Sequence, residues 1–268
     1  MMGVLAVDRA GTREALLEVT EKLADMIRPL PDTAIPIPGA DWTVGETANH
    51  VAMAGQLFVD LANGIPRVHG DVTKEGMAAA NAEWLARDPE RRADRLADAI
   101  VSSTRTFLDT VEGRPPTQSV MAPAGKMDME TLVSYALTHT LMHDCAIARA
   151  LRKPLPVMRA HVNLMMPFLT VGMESFVLKE KTKDLTACFL LHLRGGPQVA
   201  VTFDKGVLRL DTKPPRRVDC HIVADPVALF LVAMGLKKQW GPIATGKLMT
   251  WGTKPWLALQ FVGFFATP

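Results

Sequence analysis

The chain has 268 residues, 48% of them hydrophobic and 22% charged, a balance that excludes disordered, collagen-like and coiled-coil proteins. Single hydrophobic cores stop growing above roughly 250 residues, so two domains are expected. Lys and Arg number 30 against 28 Asp and Glu, leaving +2, and no overall field draws the chain onto nucleic acid or an acidic membrane.

Neither nucleic acid nor a membrane is therefore expected as a partner, and small molecules or protein partners are expected instead. The three cysteines, Cys145, Cys188 and Cys220, are odd in number and widely spaced. They form no disulfide framework and no CxxC pair, which fits a reducing, cytoplasmic compartment. The first residues lack the basic start and long apolar middle of a secretory signal. The longest apolar runs, 228–236 and 256–265, fall short of the roughly 18 residues that span a bilayer.

From residue 7 to about 151 apolar residues recur every three or four positions, the period of helices buried on one face. The first helix carries Leu16, Val19, Leu23, Met26, Ile27 and Leu30, and stops in the Pro-rich stretch 29–38. The second begins at Thr43-Val44-Gly45-Glu46, whose spacing matches a capping box, and runs to about Asn63. A looser segment containing Trp84 follows. The third helix carries Leu96, Ile100, Ser103, Phe107 and Val111 before Gly113 and prolines end it. The fourth, about 128–151, sets Leu132, Ala136, His139, His143, Ile147 and Ala150 on one side. Four such helices make an antiparallel bundle.

Beyond Pro154 one more helix is expected over 161–179, then short β-rich runs at 187–193, 199–203, 207–211 and 218–223. Gly195-Gly196-Pro197 and Asp204-Lys205-Gly206 suit tight hairpins, so a mainly antiparallel sheet is the simplest arrangement. Helices over 226–236 and 254–265 flank an extended segment at 247–250. The fold class is thus α+β, with a helical bundle over 1–155 and an α/β domain over 156–268. There is no internal repeat and no Gly-rich phosphate loop.

His139 and His143 are spaced i, i+4 on an otherwise apolar face, so both imidazoles point into the bundle. Structural histidines bonded to backbone or water are the alternative reading. A bundle can, however, supply the three nitrogen ligands of a catalytic metal site from facing helices. His50, flanked by Ala48, Ala52 and Ala54, is the third ligand. His69, His161, His192 and His221 are read as structural. Cys145 lies about 200° around the helix from His143 and is read as a small buried filler. Glu46 suits the cap or an outer contact to His50, with the cap preferred. Asp144 and Arg149 are read as solvated, and the methionines as core.

The stretch Asp41-Trp42-Thr43-Val44-Gly45-Glu46-Thr47-Ala48-Asn49-His50 resembles the Trp-Thr/Ser-Val…His signature of the DinB-like superfamily, in particular its mycothiol-dependent maleylpyruvate isomerase branch. His143 with Ile147-Ala148-Arg149-Ala150-Leu151 is similar to that branch's second motif, in which a further ligand lies four residues before the histidine. The resemblance implies His50, His139 and His143 as metal ligands. Two positions depart from the pattern: the branch commonly has Glu where His139 stands, and Asp where Ala146 stands. Three neutral imidazoles leave a divalent cation uncompensated, which favours an anionic thiolate as its further ligand.

The second half resembles the sterol-carrier-protein fold in its run from Val218 to Val223, a helix to Gly235, Gly246-Lys247-Leu248 and Gly252. Together the resemblances imply a transferase or isomerase that binds a divalent metal (zinc first, with nickel or iron as alternatives) and activates a low-molecular-weight thiol, mycothiol, for attack on a small electrophile. The protein is expected as a monomer or homodimer. The alternatives are a metal-dependent hydrolase that activates water and a non-enzymatic protein that binds a lipid or other small molecule.

Overall fold

The computed structural model describes residues 5–65, 67 and 74–266; His69, read as structural from the sequence, lies outside them. The chain divides into two compact units, Val7–Val157 and the residues from Met158 onward.

The first unit holds α1 (Arg9–Ile27), α2 (Val44–Ala62), α3 (Lys74–Arg87), α4 (Ala93–Glu112) and α5 (Met129–Ala150), with a hairpin of β1 (Ser119–Ala122) and β2 (Gly125–Asp128) between the last two helices. α1 and α2 each pack against both α4 and α5, so these four form the bundle. Their core contains Leu23, Ile27, Val44, Val51, Leu96, Ile100 and Ile147. The stripes read from the sequence are the stripes that are buried, because removing apolar area from water is what holds helices of marginal intrinsic stability together.

Helix ends fall where side chains supply missing partners. Asp8 accepts from Gly11 N–H at 3.0 Å and Asp128 from Thr131 N–H at 2.8 Å. At α2, Thr43 Oγ1 accepts from Glu46 N–H at 3.2 Å, while the Glu46 carboxylate accepts from Thr43 N–H at 2.8 Å. These bonds fix the start of the helix that carries His50.

Gly55 sets the distance between α2 and α4. A Cβ placed there would lie 2.3 Å from Ser103 Oγ, so two small residues allow the close crossing. Gly55→Val is expected to cost about 1–3 kcal/mol through overpacking, measurable as a lowered urea midpoint with unchanged slope. A midpoint equal to the parent's would mean that the crossing is not tight.

The second unit contains α6 (Arg159–Phe176), α7 (Lys179–Thr182), β3 (Ala187–Leu193), β4 (Gln198–Asp204), β5 (Val207–Asp211), β6 (Cys220–Ala224), α8 (Pro226–Ala233), α9 (Trp240–Ala244), β7 (Leu248–Gly252) and α10 (Ala258–Phe261). Strand order is β5-β4-β3-β6-β7. β3 and β6 pair in parallel and the other three pairs are antiparallel, so the sheet is largely antiparallel, as expected. Asp204 pairs with Val207 across Lys205 and Gly206, whose φ values of 47° and 81° give the two-residue turn of a twisted hairpin. Phe189 and Phe203 on the sheet meet Phe261 and Phe264 near the C-terminus. The single helix expected over 254–265 is instead three short pieces: a 3-10 turn at Pro255–Leu257, α10, and a second 3-10 turn at Val262–Phe264. Among the described residues no helix is long and apolar enough to cross a membrane.

Candidate metal centre

His50 lies in the second turn of α2, and His139 and His143 lie one turn apart in the middle of α5. Because α2 and α5 pack together, the three imidazoles meet inside the first unit. Their ring centroids are 5.0 Å (His50–His139), 4.8 Å (His50–His143) and 4.6 Å (His139–His143) apart. One nitrogen from each lies within 4.8 Å of the others, and His50 Nε2 is 3.0 Å from His139 Nε2. Two nitrogens bound to one tetrahedral zinc at 2.0–2.1 Å are separated by about 3.3 Å, so the donor set fits a divalent cation with small side-chain adjustments.

The protonation state fits as well. Burial drives the His143 pKa from 6.5 down to about 4, because a charged imidazolium loses its hydration there. At neutral pH the ring is uncharged, the form in which imidazole ligates metal. The cluster contains histidines only, so a bound cation keeps its full charge toward whatever fills the remaining position.

Aromatic side chains surround the cluster. Trp42, half-buried just before the α2 cap, lies 5.0 Å from the His50 ring and stacks toward His143 at 6.3 Å and 23°. Phe58 sits edge-on to His139 at 5.9 Å, and Tyr135 to the same ring at 6.4 Å. Burial pushes the Tyr135 phenol up to about 12; it stays protonated through the neutral range. None of these aromatics emerges from the sequence as a site residue, although two signals were present. Tyr135, His139 and His143 follow one another at i, i+4 and i+8, and Trp42 precedes the capping threonine.

Other residues weighed from the sequence resolve clearly. The Glu46 carboxylate is engaged by Thr43, whose backbone N–H holds its pKa down, with Arg91 at 4.0 Å; it serves the cap. Cys145 is fully buried outside the cluster, and burial raises its thiol to about 12. His161 accepts from Met158 N–H at 3.4 Å, His221 stacks on Trp251 at 5.1 Å, and His192 is exposed. The reading of Asp144 as solvated is overturned. It is 1% exposed, and neither carboxylate oxygen has a hydrogen-bond partner among the described residues. Burial raises its pKa to about 7, against the opposing pull of Lys22 on α1. The physical reason is that α5 contacts α1 as well as α2, so residues outside the histidine stripe are buried too. Arg149 is exposed as expected.

Two solved structures, of the mycothiol-dependent maleylpyruvate isomerase and of a histidine-to-alanine mutant of it, resemble this chain with TM-scores of 0.53 and 0.55. In each case identity is 10% and 91% of both chains is covered, which shows a shared fold. No curated protein matches the chain. The family model described as "Mycothiol maleylpyruvate isomerase N-terminal domain" matches residues 16–153, just over half of the sequence and the region that supplies all three histidines; the chain belongs to that family.

Proposed function

We propose that this chain is an enzyme of low-molecular-weight thiol chemistry, in which His50, His139 and His143 hold one divalent cation. Zinc is the first choice, and nickel and iron are the alternatives that imidazole also suits. The co-substrate is mycothiol, after the two structures of similar fold, and the second substrate is a small electrophile. The observation that carries the reading is the convergence of three imidazole nitrogens from α2 and α5 with no carboxylate or thiol among them. When bound, the cation supplies Lewis acidity that draws a thiol's pKa below its usual value of about 8.5.

The residues divide the remaining work. The neutral His143 ring leaves a lone pair for ligation at physiological pH. Trp42 and Phe58 pack against the histidine rings and hold their planes in place. The protonated Tyr135 can donate a hydrogen bond but cannot take a proton near neutrality. In the reaction a sulfur–carbon bond forms between thiol and electrophile. The thiol proton is released to solvent and returned to the carbon or heteroatom that gains charge. Elimination of the thiol afterwards leaves an isomer; retention leaves a conjugate.

The test compares metal-loaded protein with His50→Ala, using mycothiol and a panel of electrophiles, followed by thiol consumption and mass spectrometry. Thiol-dependent turnover is expected in the parent and a loss of at least about 100-fold in the variant. Ester or amide hydrolysis without a thiol would replace this reading with the water-activating hydrolase. A co-purifying lipid with no turnover would favour the binding protein.

A further inference from the structure

β7 is an edge of the five-stranded sheet, and four of its five residues are exposed. Asp225 N–H donates to the Lys247 carbonyl at 2.7 Å, and the register continues with Val223 opposite Met249 and His221 opposite Trp251. Alternation along an antiparallel pair then turns the N–H groups of Met249 and Trp251 toward β6 and those of Leu248 and Thr250 toward the open side. Met249 and Trp251 share one face and are 47% and 48% exposed. Two further exposed tryptophans sit on elements in contact with β7: Trp240 on α9, at 60%, and Trp256 in the 3-10 turn, at 57%.

The stretch that contains this edge, residues 226–265, carries charge of one sign, and the two acids that flank it are already engaged, Asp219 by Arg216 and Lys254 and Asp225 by Arg159 and the Ala228 N–H. No acidic residue occurs between Asp225 and Ala266, whereas Lys237, Lys238, Lys247 and Lys254 do. Lys254 pairs with Asp219 at 3.3 Å, and the other three are exposed. The whole-chain charge of +2 hides this local excess.

An exposed apolar edge strand is a template for another strand. We propose that β7 is a docking edge for an extended acidic segment of a partner protein. The segment's backbone bonds to Leu248 and Thr250, its apolar side chains lie against Met249 and Trp251, and its carboxylates meet Lys237, Lys238 and Lys247. A second copy of this chain is a poorer occupant, since its own stretch 226–265 brings lysines and no carboxylate to meet Lys237, Lys238 and Lys247. A lipid surface makes no use of the open backbone groups. The proposal does not rest on the histidine centre, and its failure leaves that reading intact.

The experiment titrates the full chain into two fluorescein-labelled peptides, one alternating Glu and Val and one alternating Lys and Val, with anisotropy as the readout. The acidic peptide is expected to bind at least about tenfold more tightly, and the triple variant Lys237→Glu, Lys238→Glu, Lys247→Glu is expected to reverse the preference. Thr250→Pro, which deletes an outward N–H, should abolish binding of both. Because that variant can disturb the Thr250 contact with Cys220, amide exchange of the parent gives a second readout: Leu248 and Thr250 should slow when the acidic peptide is added. Absence of binding, equal binding of the two peptides, unchanged exchange at those amides, or a dimer in sedimentation would each overturn the proposal. So would partition onto phosphatidylglycerol vesicles with no preference for the acidic peptide.

Discussion

His139→Ala is expected to weaken divalent metal binding by two to three orders of magnitude, about 3–4 kcal/mol. His139 Nε2 is the atom 3.0 Å from His50 Nε2, and its ring is the nearest neighbour of His143 at 4.6 Å. Removing it takes away one of three donors and leaves His50 and His143, 4.8 Å apart, as the remaining pair. Equilibrium dialysis against zinc measures the change directly. His139→Glu separates a lost donor from lost packing. It restores an oxygen donor and should recover much of the affinity, whereas a merely structural histidine would not be rescued by a carboxylate placed among aromatic rings. Parent-like affinity in His139→Ala would remove this residue from the ligand set.

The second large effect concerns stability and comes from Asp144. Its pKa is about 7 in the folded protein against 3.8 for the free side chain, so the native state keeps a proton that the unfolded state releases. Between about pH 4 and pH 7 the unfolded chain therefore binds fewer protons, and stability falls as pH rises across that window. Above pH 7 the native state carries a buried carboxylate with no hydrogen-bond partner among the described residues. The penalty is on the order of 4 kcal/mol. Asp144→Asn keeps the shape and removes the charge. In the metal-free protein it should match the parent near pH 4 and exceed it by about that amount at pH 8, as read by urea denaturation. An equal difference at both pH values would show that the carboxylate is solvated when ionised.

The contrast between Asp144 and the histidines shows how much of the molecule could be read from its sequence. Leu23, Ile27, Leu96 and Ile100 announce their helices because each faces one core, and a single buried stripe is a periodic signal. Thr43 and Glu46 announce a helix start because capping depends on residues three apart. His139 and His143 share a face for the same local reason. Asp144 needed tertiary knowledge: α5 is covered from two directions, and nothing in its own sequence says so. The hairpin at residues 119–128 escaped because strands of four residues carry almost no alternation. α3 escaped because Ala78, Ala79 and Ala80 leave it without a distinct apolar face. Over residues 254–265 a nearly unbroken apolar run reads as one helix, while the chain folds it into three short turns that bring Phe261 and Phe264 onto the sheet. The parallel pairing of β3 with β6 joins segments separated by two other strands, which no local pattern encodes.

The central claim is that three histidines hold one divalent cation with a position left for a thiol. Cobalt(II) tests it most directly, because its visible absorption reports both the number of ligands and their kind. Titration of the metal-free protein should saturate at one cobalt per chain with the spectrum of a low-coordinate nitrogen site. Adding mycothiol should then bring in sulfur-to-cobalt charge-transfer absorption, and His139→Ala should show neither change. Saturation at one cobalt with a spectrum indifferent to the thiol, or no cobalt uptake by the parent, would contradict the account.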